Sequence, residues 1–178
     1  MPVEYAASYL VGQIAAEEPP SGAVALWGLG QASFVLRGAG IVVYVDPYLR
    51  VSDRRLSPPP FSPEAVANAD VVLLTHDHGD HVDPETLPGL AAASPAARFV
   101  APRPIANRVA DLVGGKDRVV PAVADEPLRL EVRTVPLGHF VSYASEVYPN
   151  MSIHVMGRFG KYVHLGRRGS STPRGSVQ

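Results

Sequence analysis

The sequence predicts an α+β fold in a single domain, a sheet sandwich flanked by helices. Strand-like segments come first, then strand–helix units, then strands again, with no internal repeat. The 178 residues, 46% hydrophobic and 19% charged, suffice for one core and read as globular and soluble.

The elements follow in chain order. Val3, Ala7, Leu10 and Ile14 recur at helical spacing, which predicts a short amphipathic helix packed on the domain. Its polar face carries no Lys or Arg, which favours packing over a membrane-surface role. Glu17 to Gly22 reads as a solvated linker, so residues 1–23 form an N-terminal helix and linker. Segments 24–29, 33–37 and 41–45 read as strands, with Gly38-Ala39-Gly40 as a hairpin turn. Residues 47–60 read as an irregular, Pro-stiffened loop. Ser62-Pro63-Glu64 is a good helix start, because Ser can cap, Pro suits the first turn and Glu favours the positive end; this helix should end near Asn68. Residues 70–75 form an apolar run without alternation, expected to be a strand buried on both faces.

Asp83-Pro84-Glu85 should start a second helix that Pro88 and Gly89 interrupt early. Residues 98–101 read as a strand, and residues 104–113 as a third helix ended by Gly114-Gly115. Segments 118–119, 128–135, 151–156 and 162–165 complete the β reading. The tail, 167–178, has no apolar periodicity and reads as disordered.

The chemistry concentrates in Thr75-His76-Asp77-His78-Gly79-Asp80-His81, directly after the apolar run. Imidazole is the commonest side-chain metal ligand, and His/Asp sets suit zinc and its neighbours. On a strand His76 and His78 would share a face, and Gly79 would let the chain turn to bring Asp80 and His81 alongside. Two ligand pairs for two adjacent metals result. The bland alternative is a solvated polar loop. The remaining composition excludes little else: net charge is −1 with no basic stripe, so nucleic acid is not favoured. No cysteine is present, which removes disulfides, thiolate zinc sites and cysteine nucleophiles, and is compatible with the cytoplasm. Residues 1–16 lack the basic region of a signal peptide, and no apolar run approaches a membrane span.

The His-x-His-x-Asp-His pattern resembles the metal-binding signature of the metallo-β-lactamase fold superfamily. Leu26-Trp27-Gly28-Leu29-Gly30-Gln31-Ala32-Ser33-Phe34-Val35-Leu36 resembles its first hairpin, and Ile41-Val42-Val43-Tyr44-Val45-Asp46-Pro47-Tyr48 its strand ending in Asp-Pro. Within the superfamily, the chain is similar to the L-ascorbate-phosphate lactonase-like zinc-dependent hydrolases, over residues 24–166. The resemblance implies a partial αββα sandwich, and a hydrolase in which metal-activated hydroxide attacks a lactone, ester or phosphodiester of a small substrate, phosphorylated or not.

The resemblance also implies roles for single residues. His76, His78 and His139 would hold one metal, with a structural histidine as the alternative for His139. Asp80 and His81 would hold the second, and Asp80 could also take a proton from the attacking water. Asp46 is either a turn residue or the carboxylate that holds a ligand imidazole by its other N–H. Asp77 is expected to be exposed or to act behind the ligands. His154 is read as an outward strand residue, with a substrate contact as the alternative.

One departure stands against this pattern. The superfamily places Gly-Asp after a strand like 162–165, with Asp bridging the metals; here Gly166 is followed by Arg167, and no Asp or Glu follows Glu146. A single-base insertion after the Gly166 codon would turn an Asp codon into an Arg codon and explain the tail as well, making the chain the first part of a longer hydrolase. A tag or cloning remnant is the alternative. Three classes follow: a metal-dependent hydrolase carrying two zinc ions or one, with manganese or iron also compatible; a metal-binding domain or inactive fragment without turnover; and a fragment that needs a partner. A small molecule is the expected partner for the first, and a homo-oligomer is compatible with all three.

Overall fold

In the computed structural model, residues 3–20, 23–124, 126, 128, 130–132, 135–136, 151–152, 161–164 and 166–167 are described. Two tight turns start the sheet. Gly30 and Gln31, at φ 90° and 54°, link β1 (Ala23–Gly30) to β2 (Ser33–Gly38). Ala39 and Gly40, at φ 49° and 78°, link β2 to β3 (Ile41–Val45). Paired positive φ values match the twist of antiparallel strands, and β1–β2–β3 is an antiparallel meander. Three parallel strands follow: β4 (Val71–Leu73), β5 (Arg98–Pro102) and β6 (Val119–Ala122). The shorter strands are β7 (Glu131–Val132), β8 (Val135–Pro136), β9 (Met151–Ser152), β10 (Lys161–His164) and β11 (Gly166–Arg167). The large sheet has the order β10-β1-β2-β3-β4-β5-β6, while β7 pairs with β8 and β9 with β11.

Three helices, α1 (Val3–Ala16), α2 (Thr86–Ala93) and α3 (Ala106–Val113), complete the frame. Alternation sorts the strand residues. Val42, Tyr44, Val72, Phe99 and Ala101 join Ile14, Leu87, Leu90 and Val109 in the larger core. Ile41, Val43, Val71 and Val100 face the other way, in a second cluster with Leu130. The central strands are therefore buried on both faces, as the unbroken apolar run of β4 predicts. On α1, Val11 and Ile14 are buried, and Asn68 Nδ2 donates to the Val11 carbonyl at 3.2 Å.

Two helix expectations are corrected. The segment after Ser62 is a single 3-10 turn, Pro63–Ala65: Ser62 makes no side-chain cap and Val66 leaves helical space at ψ 76°. Conversely, α2 runs through Pro88 and Gly89 to Ala93. Pro88 sits in the first turn, where its missing N–H has no intrahelical acceptor to lose. Gly89 admits the Pro63 turn, since a Cβ there would lie 2.6 Å from Glu64 Oε1 and 3.0 Å from Pro63 Cβ. Asp83 caps the helix: its Oδ2 accepts from Thr86 N at 3.0 Å and from Thr86 Oγ1 at 2.6 Å. The Thr86 hydroxyl in turn accepts from Leu49 N at 2.9 Å, tying the loop after β3 to α2. The disordered tail is expected from 167, but Arg167 in β11 pairs with Met151; residues 168–178 lie outside the described residues.

Candidate metal centre

The site grows from the carboxyl ends of β3 and β4. Their parallel register pairs Val45 with Leu73, so Asp46 and Thr75 leave the sheet side by side. Asp46 adopts φ 43°, a left-handed conformation that Asp tolerates better than most residues. Ser33 stabilises that corner, its hydroxyl donating to the Asp46 carbonyl at 2.6 Å and accepting from Tyr48 N at 3.0 Å. The turned carboxylate is buried and fully engaged. Oδ1 accepts from Thr75 N at 2.8 Å, and Oδ2 accepts from Thr75 Oγ1 at 2.6 Å. His81 Nδ1 also lies 2.8 Å from Oδ2.

The histidine loop closes over this base. His81 N and Val82 N both donate to the His78 carbonyl, at 3.0 and 2.8 Å, and Val82 is fully buried as the loop's anchor. β4 ends at Leu73, so the histidines converge through a turn rather than along one strand face. Ring centroids lie 4.4 Å apart for His76 and His78, 3.9 Å for His76 and His81, and 6.4 Å for His78 and His81. His76 Nε2 is 2.9 Å from His78 Nδ1, and His81 Nε2 is 3.8 Å from Asp80 Oδ1. Gly79 takes no positive φ, so the turn does not require glycine. Asp77 is exposed, points away from this cluster's contacts, and pairs with Arg108 on α3.

Of the sequence-predicted site residues, His76, His78, Asp80 and His81 share one loop, with Asp46 beneath it. His139 and His154 lie outside the described residues. Among the described residues, no three such donors already surround a common point at coordinating distance. The donor chemistry nonetheless fits a divalent metal: the 2.9 Å between His76 Nε2 and His78 Nδ1 needs to open to only about 3.3 Å for two tetrahedral zinc ligands. Imidazoles beside a carboxylate, one of them with a buried acid 2.8 Å behind it, are what such a site requires.

Sequence reasoning missed Thr75 and Ser33, whose roles depend on a contact across strands. It also missed Arg50. The Arg50 guanidinium donates to the Tyr48 hydroxyl at 3.1 Å and to Glu85 at 2.6 Å. These two bonds, the Tyr48 one first, hold it above its ordinary pKa, and it lies 3.8 Å from the buried Asp83 Oδ1. A hollow of about 190 Å³ opens beside the β1–β2 turn, lined by Gly30, Gln31, Arg55, Leu56 and Ser57.

Residues 26–166 match the family described as "Beta-lactamase superfamily domain". A metal-dependent hydrolase of Hyperthermus butylicus is 32% identical over 151 residues, 79% of this chain and 60% of that protein. One of Pyrococcus abyssi is 32% identical over 91 residues, 51% of this chain and 37% of that protein. The chain thus spans less than two thirds of the length of these curated relatives. Among solved structures, a metallo hydrolase from Ignicoccus hospitalis is 21% identical with a TM-score of 0.44, covering 61% of this chain and 43% of that one.

Proposed function

The chain belongs to the β-lactamase superfamily, and on that premise we propose that it is a metal-dependent hydrolase whose metal ligands come from the histidine loop. The observation that carries this reading is the convergence of His76, His78, His81 and Asp80 over the buried Asp46 at the carboxyl ends of two parallel strands. His76 and His78, with His139, would hold one ion; Asp80 and His81 would hold a second. When bound, such an ion acidifies water and stabilises the charge that develops on an attacked carbonyl or phosphoryl oxygen. Zinc suits the donor set best, and manganese or iron is compatible with it.

The chain's own residues have distinct tasks. Asp46 keeps the His81 ring oriented through Nδ1, leaving Nε2 toward Asp80. Asp80 is half-exposed, so its carboxylate can take a proton from water on the substrate side. Arg108 ties the loop to α3 through Asp77. Lactones, esters or phosphodiesters of small molecules are the proposed substrate class. No described helix is long and apolar enough to cross a membrane, and the absence of cysteine supports the cytoplasm as the compartment.

A second reading, a metal-binding domain without turnover, is favoured by Arg167, which stands after Gly166 where the resemblance expects a bridging Asp. Metal analysis of the purified chain, with hydrolysis of a lactone and phosphodiester panel, separates the two. Two ions per chain with turnover lost in His78→Ala supports the hydrolase. One ion without turnover establishes the second reading, and full turnover in His78→Ala refutes the ligand assignment.

A further inference from the structure

We propose that Thr75 is a positioning residue that sets which nitrogen of each clustered imidazole carries the proton; its metal consequence rests on the reading above. A hydroxyl has one proton and two lone pairs. Thr75 Oγ1 has three polar neighbours: Asp46 Oδ2 at 2.6 Å, His76 Nδ1 at 2.9 Å and His81 Nδ1 at 3.3 Å. A carboxylate only accepts, and 2.6 Å is the length of an O–H···O⁻ bond. The single hydroxyl proton therefore goes to Asp46.

Everything else in the cluster follows from that direction. Thr75 Oγ1 can offer His76 only a lone pair, so His76 Nδ1 carries the proton and Nε2 is bare. In the metal-free chain His78 Nδ1, 2.9 Å from that bare nitrogen, must donate to it, and it would give that proton up on becoming a ligand. His81 Nδ1 faces two acceptors, Thr75 Oγ1 at 3.3 Å and Asp46 Oδ2 at 2.8 Å, so it carries a proton too, which leaves its Nε2 bare toward Asp80. Running the chain the other way would press two oxygens to 2.6 Å with no proton between them. The direction is also anchored, because the other Asp46 oxygen accepts the Thr75 backbone N–H, which cannot reverse. Ring nitrogen identity in a metal ligand is set by the bond its second nitrogen makes. Here one hydroxyl and one buried acid make that choice for His76 and His81 together.

Long-range proton–nitrogen spectra of the histidine-labelled full chain, dialysed against chelator and held above the ordinary imidazole pKa of about 6.5, read this directly. His76 should carry its proton on Nδ1 in the parent and in Thr75→Ser, and on Nε2 in Thr75→Val. Asp46→Asn keeps its oxygen on Thr75 N and turns its amide toward the hydroxyl. The hydroxyl then swings to His76, moving that proton to Nε2. Zinc titration against a chromophoric chelator should show Thr75→Val weakened roughly 10–100-fold and Thr75→Ser nearly unchanged. A parent with His76 protonated on Nε2, or a Thr75→Val spectrum identical to the parent, overturns the proposal. If Thr75→Val does not fold, Asp46→Asn carries the same test. A parent with the expected protons that takes up no zinc would instead refute the metal reading.

Discussion

Replacing Asp46 with Ala isolates the contribution of the buried acid to the fold. Asp46 is 3% exposed; its carboxylate accepts two hydrogen bonds from Thr75, with His81 Nδ1 2.8 Å away. Two donors can recover: the Thr75 hydroxyl can rotate to His76 Nδ1, and His81, partly exposed, can reach water. The Thr75 backbone N–H has no such freedom, and an orphaned buried donor costs about 1–3 kcal/mol. The two weakened bonds add about 1 kcal/mol together. Ala at φ 43° adds about 1 kcal/mol more, because it lacks the local hydrogen bonding that makes this conformation tolerable for Asp. Removing a desolvated charge returns part of this, so the expected loss is about 3–4 kcal/mol, or roughly 6–16 °C in Tm for a domain of this size. Asp46→Asn keeps the volume, the backbone tolerance and an acceptor for Thr75 N, and should lose only about 1–2 kcal/mol. Urea unfolding followed by circular dichroism, in chelator, measures both. Equal losses for the two variants, or an Ala loss under about 1 kcal/mol, would refute the claim that Thr75 N depends on this acid.

Three further outcomes follow from the packing. Gly79→Ala should change stability by less than about 0.5 kcal/mol in thermal melts, because the position has no positive φ and a Cβ there meets nothing within 4 Å. Arg118→Met should lose about 2–3 kcal/mol in urea unfolding, since the guanidinium donates to the carbonyls of Ala91, Val113, Ser94 and Ala97 at 2.7–3.4 Å and lies over the Phe99 ring. Burial lowers its pKa from the ordinary value, with Asp117 acting in the opposite sense. Burial raises the Tyr44 phenol well above its ordinary value, against the opposing hydrogen bond to Asn68. The unfolded phenol ionises near pH 10 while the folded one stays neutral, so stability should fall as pH rises above about 10. In Tyr44→Phe that alkaline decline should be shallower.

Local patterns were readable in the sequence where one stretch of chain decides the outcome. Short apolar segments marked β1, β2 and β3, Gly38-Ala39-Gly40 marked the turn between the last two, and an unbroken apolar run marked β4 as buried on both faces. The dense His/Asp loop marked the site. Elements decided by neighbours were misread: Pro88 looks like a helix breaker until the cap at Asp83 places it in the first turn. Ser62 looks like a cap, yet the turn it precedes stops at Ala65, packed against Gly89. Thr75 and Ser33 carry no signature at all, because their partners lie 29 and 13 residues away. The left-handed turn at Asp46 is equally silent, since Asp-Pro announces a turn without its handedness.

The separation between Asp46 and Thr75 bears on how the protein is made. The β1–β2–β3 meander closes from adjacent sequence, but Asp46 reaches Thr75 only when β4, 29 residues on, zips alongside β3. Pairing across such a span is a slow, late event relative to hairpin closure. A nascent chain with its hairpins formed therefore has loose histidines and no oriented nitrogen pair, and binds metal weakly and without geometry. Capture of the ion coincides with the long-range step and pulls it forward, since whatever binds only the finished arrangement stabilises it. Uptake of the proposed metal would then act as a clock for the parallel half of the sheet, and metal supply would set the yield of folded protein.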